Sequence, residues 1–392
     1  MCDKILNKSS GSFLWVRLIL QEFENVWTEE AMDQFLSEVP EGLNDLYLKM
    51  VNSIEMKKSM MPLAKSILTW VVTACRPLTL DELRCAVKLD LNQTLQNLAK
   101  AVPSICGQLV FIDQSDRIHI IHETAREFLR AKNAYSELSF EKKQSHTHIG
   151  SSLLRYLSAV PIKSDERPSH LREKLPRFAS RTNSMPHDTS LVDYACKFFS
   201  EHIHSCSLRE DDLMGEISTF LKGNSVLSWI EYIAGCNDLS NITKSGMNLR
   251  IYLGRRAKYV PPTDPSFHII EDWVTDLIRV AAKFRTQLLA HPNSIYTLIP
   301  PLCPPDPIIS KTFTKSSHLA VKGLPAGTWD DCLSRIDFAH DRITAVGHGE
   351  KYFAIGFSTG KILLYDSSFL RLLITLPTFE RVKSLKFSHD DQ

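Results

Sequence analysis

Between Met61 and Leu129 the spacing of apolar residues changes period once, and that change limits the folds open to the stretch. Leu63, Ile67, Trp70, Val71 and Ala74 recur at the i, i+4, i+7, i+8 spacing of one helical face, which predicts a helix that buries the stripe. Pro77 stops it. Thr79-Leu80-Asp81-Glu82 has the spacing of a capping box, in which the Thr hydroxyl and the Glu carboxylate each take an orphan backbone N–H. Leu80, Leu83 and Val87 give this second helix its apolar side. A third helix carries Leu95, Leu98, Val102 and Ile105 and halts at Gly107. The pattern then turns to strand: Leu109-Val110-Phe111-Ile112 and Arg117 to Ile121 are short β-branched and aromatic runs. The polar residues Asp113-Gln114-Ser115-Asp116 between them suit a hairpin loop.

Three helices followed by a hairpin is the order of a winged helix. Its residues carry a resemblance in three separated motifs: Trp70-Val71-Val72-Thr73-Ala74-Cys75-Arg76-Pro77-Leu78-Thr79-Leu80-Asp81-Glu82-Leu83, then Cys106-Gly107-Gln108-Leu109-Val110, then Ile121-His122-Glu123-Thr124-Ala125-Arg126-Glu127-Phe128-Leu129. In this order they resemble the winged-helix domain of fungal NACHT-type signalling NTPases. These are STAND proteins of NOD-like receptor and heterokaryon-incompatibility type, many of which end in WD repeats; the domain is also named after GPI inositol-deacylase. The resemblance implies the C-terminal helices of a NACHT-type module over 1–58, the winged helix over 59–135, a helical linker domain over 136–299, a Pro-rich strap over 300–318 and a WD-repeat segment over 319–392.

The rest of the chain fits such an order. Gly11-Ser12-Phe13-Leu14-Trp15-Val16 starts an apolar helix to about Val26, and Val39 to Tyr47 leads into another. From Phe140 to about Ala290 the pattern is helical, with stripes at Ile149, Leu153, Leu154 and Leu157 and at Leu191, Tyr194, Ala195, Phe198 and Phe199. Pro161, Pro168, Pro176 and Pro186 mark a long exposed connection over 161–190. The prolines of 300–307 remove backbone donors and predict an extended strap. After it come four short strands, Ile343-Thr344-Ala345-Val346, Tyr352 to Phe357, Lys361 to Asp366 and Leu372 to Leu376. They resemble one WD-repeat blade with Tyr365-Asp366 at the Trp-Asp position, and Val382 to Ser388 resembles the first strand of a second. A propeller closes with ~4–8 blades. The expected fold class is therefore mostly α with a C-terminal all-β segment: a helical body containing a winged helix, then an incomplete WD-repeat β-propeller. The chain is expected to be a fragment, truncated at both ends relative to its family.

Composition removes several functions. The 392 residues exceed what one core organises, so two to four domains are expected. A net charge of +1 gives no global pull toward nucleic acid or an anionic membrane. No apolar run approaches the ~18 residues of a membrane span; the densest, Phe13 to Leu20, contains Arg17. Nine scattered cysteines without a C-x-x-C pair fit buried thiols in a reducing compartment, hence a cytoplasmic setting. None of the 15 glycines belongs to G-x-x-x-x-G-K-[ST] or to G-x-G-x-x-G, so the chain alone should not hydrolyse ATP.

His122 is the residue singled out as a site. By the resemblance, the histidine of Ile-His-x-x-x-x-Glu-Phe contacts the β-phosphate of bound ADP and holds a closed, inactive state, provided a NACHT domain is present. The alternative is a histidine at a strand end that caps the next helix. No catalytic residue or metal ligand is expected, and a cofactor (ATP or ADP) only in a longer relative. His122-Glu123-Thr124-Ala125-Arg126 has Arg126 where a second zinc ligand would stand. The pairs His146/His148 and His202/His204 are expected to be solvated. Gly356-Phe357-Ser358-Thr359-Gly360 matches the G-x-S-x-G of a serine hydrolase, but Lys361 to Tyr365 continues as strand where a nucleophile elbow needs a helix. A nucleic-acid role needs a basic recognition helix and wing, and Arg76 to Arg130 holds seven Lys/Arg against seven Asp/Glu. The expected function is the non-catalytic regulatory and scaffold portion of a NACHT/WD-repeat protein of self/non-self recognition. Its partners are proteins, a homo-oligomer among them, with neither nucleic acid nor membrane. A serine hydrolase using Ser358 and a winged-helix nucleic-acid binder are the alternatives.

Overall fold

The computed structural model describes residues 11–23, 28–40, 42–131, 137–160, 188–208, 212–259, 263–314, 341–367, 372–378 and 380–388, with short pieces between them. The connection expected over 161–190 lies largely outside these residues. The chain forms two compact units, Met1–Ser152 and Leu153–Gln392.

The first unit opens with helices α1 (Phe13–Phe23), α2 (Glu29–Glu38) and α3 (Leu43–Glu55). Trp15, fully buried, donates its indole N–H to the Pro40 carbonyl at 3.1 Å. Helix α4 (Met61–Thr73) takes Pro62 in its first turn, where the missing N–H has no intrahelical partner to lose. It buries Leu63, Ile67, Trp70 and Val71 of the stripe read from the sequence, whose fifth member, Ala74, is the half-buried C-cap; Ala64, Leu68 and Val72 on other faces are buried too. Strand β1 (Leu78–Thr79) leads into α5 (Leu80–Leu91) through a complete capping box: Thr79 Oγ1 accepts from the Glu82 N–H at 3.2 Å, and Glu82 Oε2 from the Thr79 N–H at 2.8 Å. Arg76 holds the same carboxylate with two bonds of 2.7 and 2.6 Å. Leu83 and Val87 on α5 are fully buried, each worth about 1.5–3 kcal/mol. Helix α6 (Leu98–Cys106), strands β2 (Val110–Ile112) and β3 (Arg117–Ile120), and helix α7 (Glu123–Arg130) follow. The three strands form an antiparallel sheet of order β1-β3-β2, with Leu78 opposite Ile118 and Val110 opposite Ile120. Helix α8 (Lys142–Ala159) includes the junction of the two units.

The second unit packs α9 (Val192–Ser205), α10 (Asp212–Lys222), α11 (Ser225–Gly235), α12 (Ser240–Arg256) and α13 (Pro265–Lys283). Phe199, Phe220 and Trp229 meet edge-on with centroids 5.4 to 6.3 Å apart, and the Trp229 indole donates to the Cys196 carbonyl at 2.9 Å. The short helices α14 (Arg285–Ala290), α15 (Ser294–Thr297), α16 (Ile299–Leu302) and α17 (Ile308–Phe313) follow.

The last two correct the expected extended strap. Pro300 and Pro301 are buried in the first turn of α16, where proline's fixed φ suits a helix. The segment is fastened by Asp276 of α13, which is 2% exposed. Its Oδ2 accepts the Ile309 N–H at 2.9 Å and its Oδ1 the Trp329 indole N–H at 2.8 Å. Burial pushes this carboxyl up to about 6, against the pull of those two donors.

Strands β4 (Ile343–His348), β5 (Tyr352–Phe357), β6 (Lys361–Asp366) and β7 (Leu372–Pro377) form one antiparallel sheet in sequence order. Ile355, Phe357, Leu363 and Tyr365 make its buried cluster, with Ile336, Phe338 and Phe353 packed against it. The strand expected at Val382–Ser388 is absent. Residues 381–388 form no strand, and they approach the sheet at its glycines: a Cβ on Gly356 would stand 2.4 Å from Val382 Cγ1, and one on Gly347 3.0 Å from Leu385 Cβ. Thr344 Oγ1 donates to the Val382 carbonyl at 2.6 Å. The chain is thus mostly helical with a four-stranded C-terminal antiparallel sheet.

Candidate functional site

His122 stands where β3 gives way to α7. Its backbone is extended (φ −161°, ψ 158°), and its side chain caps α7: Nδ1 accepts the Thr124 backbone N–H at 3.2 Å. Nδ1 also lies 2.9 Å from Thr124 Oγ1, which lies 2.9 Å from the hydroxyl of buried Tyr47 on α3. Burial raises the Tyr47 phenol, and the Thr124 bond opposes it. Because a backbone N–H can only donate, Nδ1 must offer its lone pair, and the ring proton sits on Nε2. The His122 side chain is exposed, and among the described residues Nε2 has no protein partner. The cap therefore fixes a tautomer that presents an N–H donor outward, which suits an anionic oxygen. Helix α7 is held in turn by Arg130, whose Nη2 donates to the Val72 carbonyl at 2.8 Å, while Arg126 pairs with Glu123 at 2.7 Å.

Helix α6, the third of the three, exposes Ala99, Lys100, Pro103 and Ser104. The hairpin loop is acidic at its tip: Asp113 Oδ1 accepts the N–H groups of Ser115 and Arg117 at 2.8 and 2.9 Å, and Oδ2 lies 2.8 Å from His119 Nε2. The Arg117 backbone bond first, then the His119 contact, holds the Asp113 carboxyl below its ordinary value. A nucleic-acid groove would meet one lysine and two carboxylates there.

The other singled-out groups lie elsewhere. Ser358 is exposed in the turn between β5 and β6, where the Gly360 N–H donates to the Phe357 carbonyl at 3.1 Å and Gly360 takes φ +84°. A strand follows, with no helix N-terminus behind the serine. The expectation of solvated histidines is corrected. His202 is fully buried and bonds the Tyr194 hydroxyl at 2.8 Å, and His146 is buried, its pKa lowered to about 4 chiefly by desolvation. His148 is exposed but lies 2.9 Å from Asp90, a carboxylate that also accepts from Ser66 at 2.7 Å and the Trp70 indole at 2.9 Å. Sequence reasoning missed the Tyr47–Thr124 link and the Asp90 and Asp276 anchors, which join residues far apart in the chain. One local signal was present: His202 continues the i, i+4, i+8 series Tyr194, Phe198, His202 on one helical face. Among the described residues no group of three or more His, Cys, Asp or Glu is placed to hold a metal ion, and no helix is long and apolar enough to cross a membrane.

Residues 48–141 match the family model of the GPI inositol-deacylase winged helix domain, so the matched region spans α4 to α7 and the sheet between them. No curated protein and no solved structure matches the chain.

Proposed function

We propose that this chain is the non-catalytic regulatory and scaffold portion of a NACHT/WD-repeat signalling protein, with the winged helix coupling nucleotide state to a repeat array. In this role His122 donates its Nε2–H to the β-phosphate of ADP held by a NACHT-type domain and so favours the closed form. The C-terminal sheet is one blade of the repeat array. Partners are proteins, copies of the same chain among them, in a cytoplasmic setting.

The observation that carries this reading is the fixed tautomer. The cap fixes the Nε2–H, and that donor stands at an exposed edge of a domain that matches a winged-helix family, where an anionic oxygen can reach it. The resemblance of the flanking motifs supplies the nucleotide.

His122→Ala and His122→Asn separate cap from contact, because Asn is a good N-cap but lacks the Nε2 reach. In a longer chain with a NACHT-type domain joined ahead, both variants should weaken ADP binding about tenfold and shift sedimentation toward oligomers. A tenfold change is the ~1.4 kcal/mol of one charge-assisted bond. Only His122→Ala should also lower the melting temperature. Unchanged ADP affinity and an unchanged oligomer distribution in His122→Asn would reject the role.

A further inference from the structure

Ahead of the winged helix, α1, α2 and α3 enclose a cleft of about 250 Å³ that closes on the turn Gly107–Gln108. Its walls are apolar: Leu18 and Ile19 from α1, Phe35 from α2, and Leu46, Met50 and Ile54 from α3. Leu46, Met50 and Ile54 recur every four residues, so one face of α3 forms the floor.

Two cations stand on this lining and no acid does. Lys49 and Lys57 both line the cleft, and no Asp or Glu is among its described lining residues. Their contacts are with neutral groups. Lys49 Nζ is 5.5 Å from the centroid of the Phe35 ring, and Lys57 Nζ donates to the Ser104 carbonyl at 3.0 Å. Lys49 stands on α3 and Lys57 just past its C-terminal end.

An apolar cleft with two lysines on its lining and no carboxylate beside them on that lining selects its ligand by chemistry. At ~30 Å³ per water, the volume equals about eight waters, room for an extended chain of about eight to ten carbons. A peptide helix of ~10 Å diameter is too wide. A cationic amphiphile would meet like charge, and a neutral hydrocarbon would gain no ion pair from either lysine. We infer that this cleft binds a single-chain apolar carboxylate, its tail along α3 and its head at Lys49 or Lys57. The inference stands independently of the nucleotide-coupled role. Because the cleft is closed by residues 107–108, occupancy would bridge the leading helices and the end of α6.

The test is calorimetric titration of the intact chain with decanoate below its micelle concentration. Decyltrimethylammonium, of equal tail and opposite charge, is the comparison. Saturable decanoate binding is expected, with the cation at least tenfold weaker. The Lys49→Glu, Lys57→Glu pair should weaken decanoate at least tenfold, since both lysines are exposed and their loss leaves no cavity. Ser53→Trp, at an exposed position on the lining, should fill the cleft and abolish binding. Circular dichroism identifies which variants keep the native fold, and those decide. Equal affinity for the two amphiphiles, no saturation, or native-like variants that bind decanoate as the parent does would each overturn the assignment.

Discussion

Asp276→Asn tests how the Pro-rich turn and the approach to the sheet are fastened. Burial lifts the Asp276 carboxyl from its ordinary value of 3.8 to about 6, even though the Ile309 and Trp329 donors favour its charged form. At neutral pH the folded chain thus carries a carboxylate that ionises more readily once unfolded. A folded-state value above the unfolded one means that the group's contribution to stability is fully present below about pH 4 and is lost as pH rises through about 6. A separation of roughly 2 units at ~1.36 kcal/mol per unit amounts to about 3 kcal/mol in all, of which about 2 kcal/mol falls between pH 4.5 and 7. Asn has nearly the same shape and does not titrate. It keeps one acceptor and turns an N–H2 toward the other donor, at a cost of about 1–3 kcal/mol that does not vary with pH. Relative to the parent, Asp276→Asn should therefore gain about 2 kcal/mol between pH 4.5 and pH 7. With slopes of ~1–3 kcal/mol/M, that moves the difference between the two urea midpoints by about 1 M. Urea titrations followed by tryptophan fluorescence at the two pH values measure it. A difference that stays constant would show that this carboxyl does not titrate in the window, and the account of the anchor would fail.

Two further outcomes follow from local geometry. Thr79→Ala removes the acceptor for the Glu82 N–H while leaving the Arg76–Glu82 pair, and should lower the stability of the first unit by about 1 kcal/mol in urea. Gly356→Val would drive a side chain into Val382, where even a Cβ would stand 2.4 Å from Cγ1. A loss of about 1–3 kcal/mol is expected by thermal melting, and an unchanged midpoint would mean that residues 381–388 do not lie against the sheet.

How far the fold was legible depended on whether partners lay close in sequence. Trp70 to Leu129 was readable because its helices declare themselves by period and its second helix by a local cap. The hairpin at 110–120 and the four strands at 343–377 were equally local. Strand β1 was not, since two residues become a strand only when β3 arrives beside them. The prolines at 300 and 301 misled because the residue that forbids a helix interior also favours a helix start, and only their burial in the folded chain decides between them. The stretch at 382–388, with Val382, Leu385 and Phe387 set among Lys and Ser, resembled a strand. Gly347 and Gly356 carried the contrary signal, bare backbone where another segment comes close. At the candidate site, the position of His122 was read from the sequence, but its tautomer needed the Thr124 N–H, and its connection to the interior needed Tyr47 from 77 residues upstream.

That connection has a polarity. With Nδ1 accepting, the Thr124 hydroxyl is free to give its hydrogen to the ring and to take one from the phenol, so Tyr47, Thr124 and His122 all hand their protons the same way, from the interior toward water. An acceptor drawn to the outer nitrogen would tug on the whole file, each bond sharpening the next. The imidazole is in that sense the exposed tip of a short wire whose buried end is a phenol on another helix.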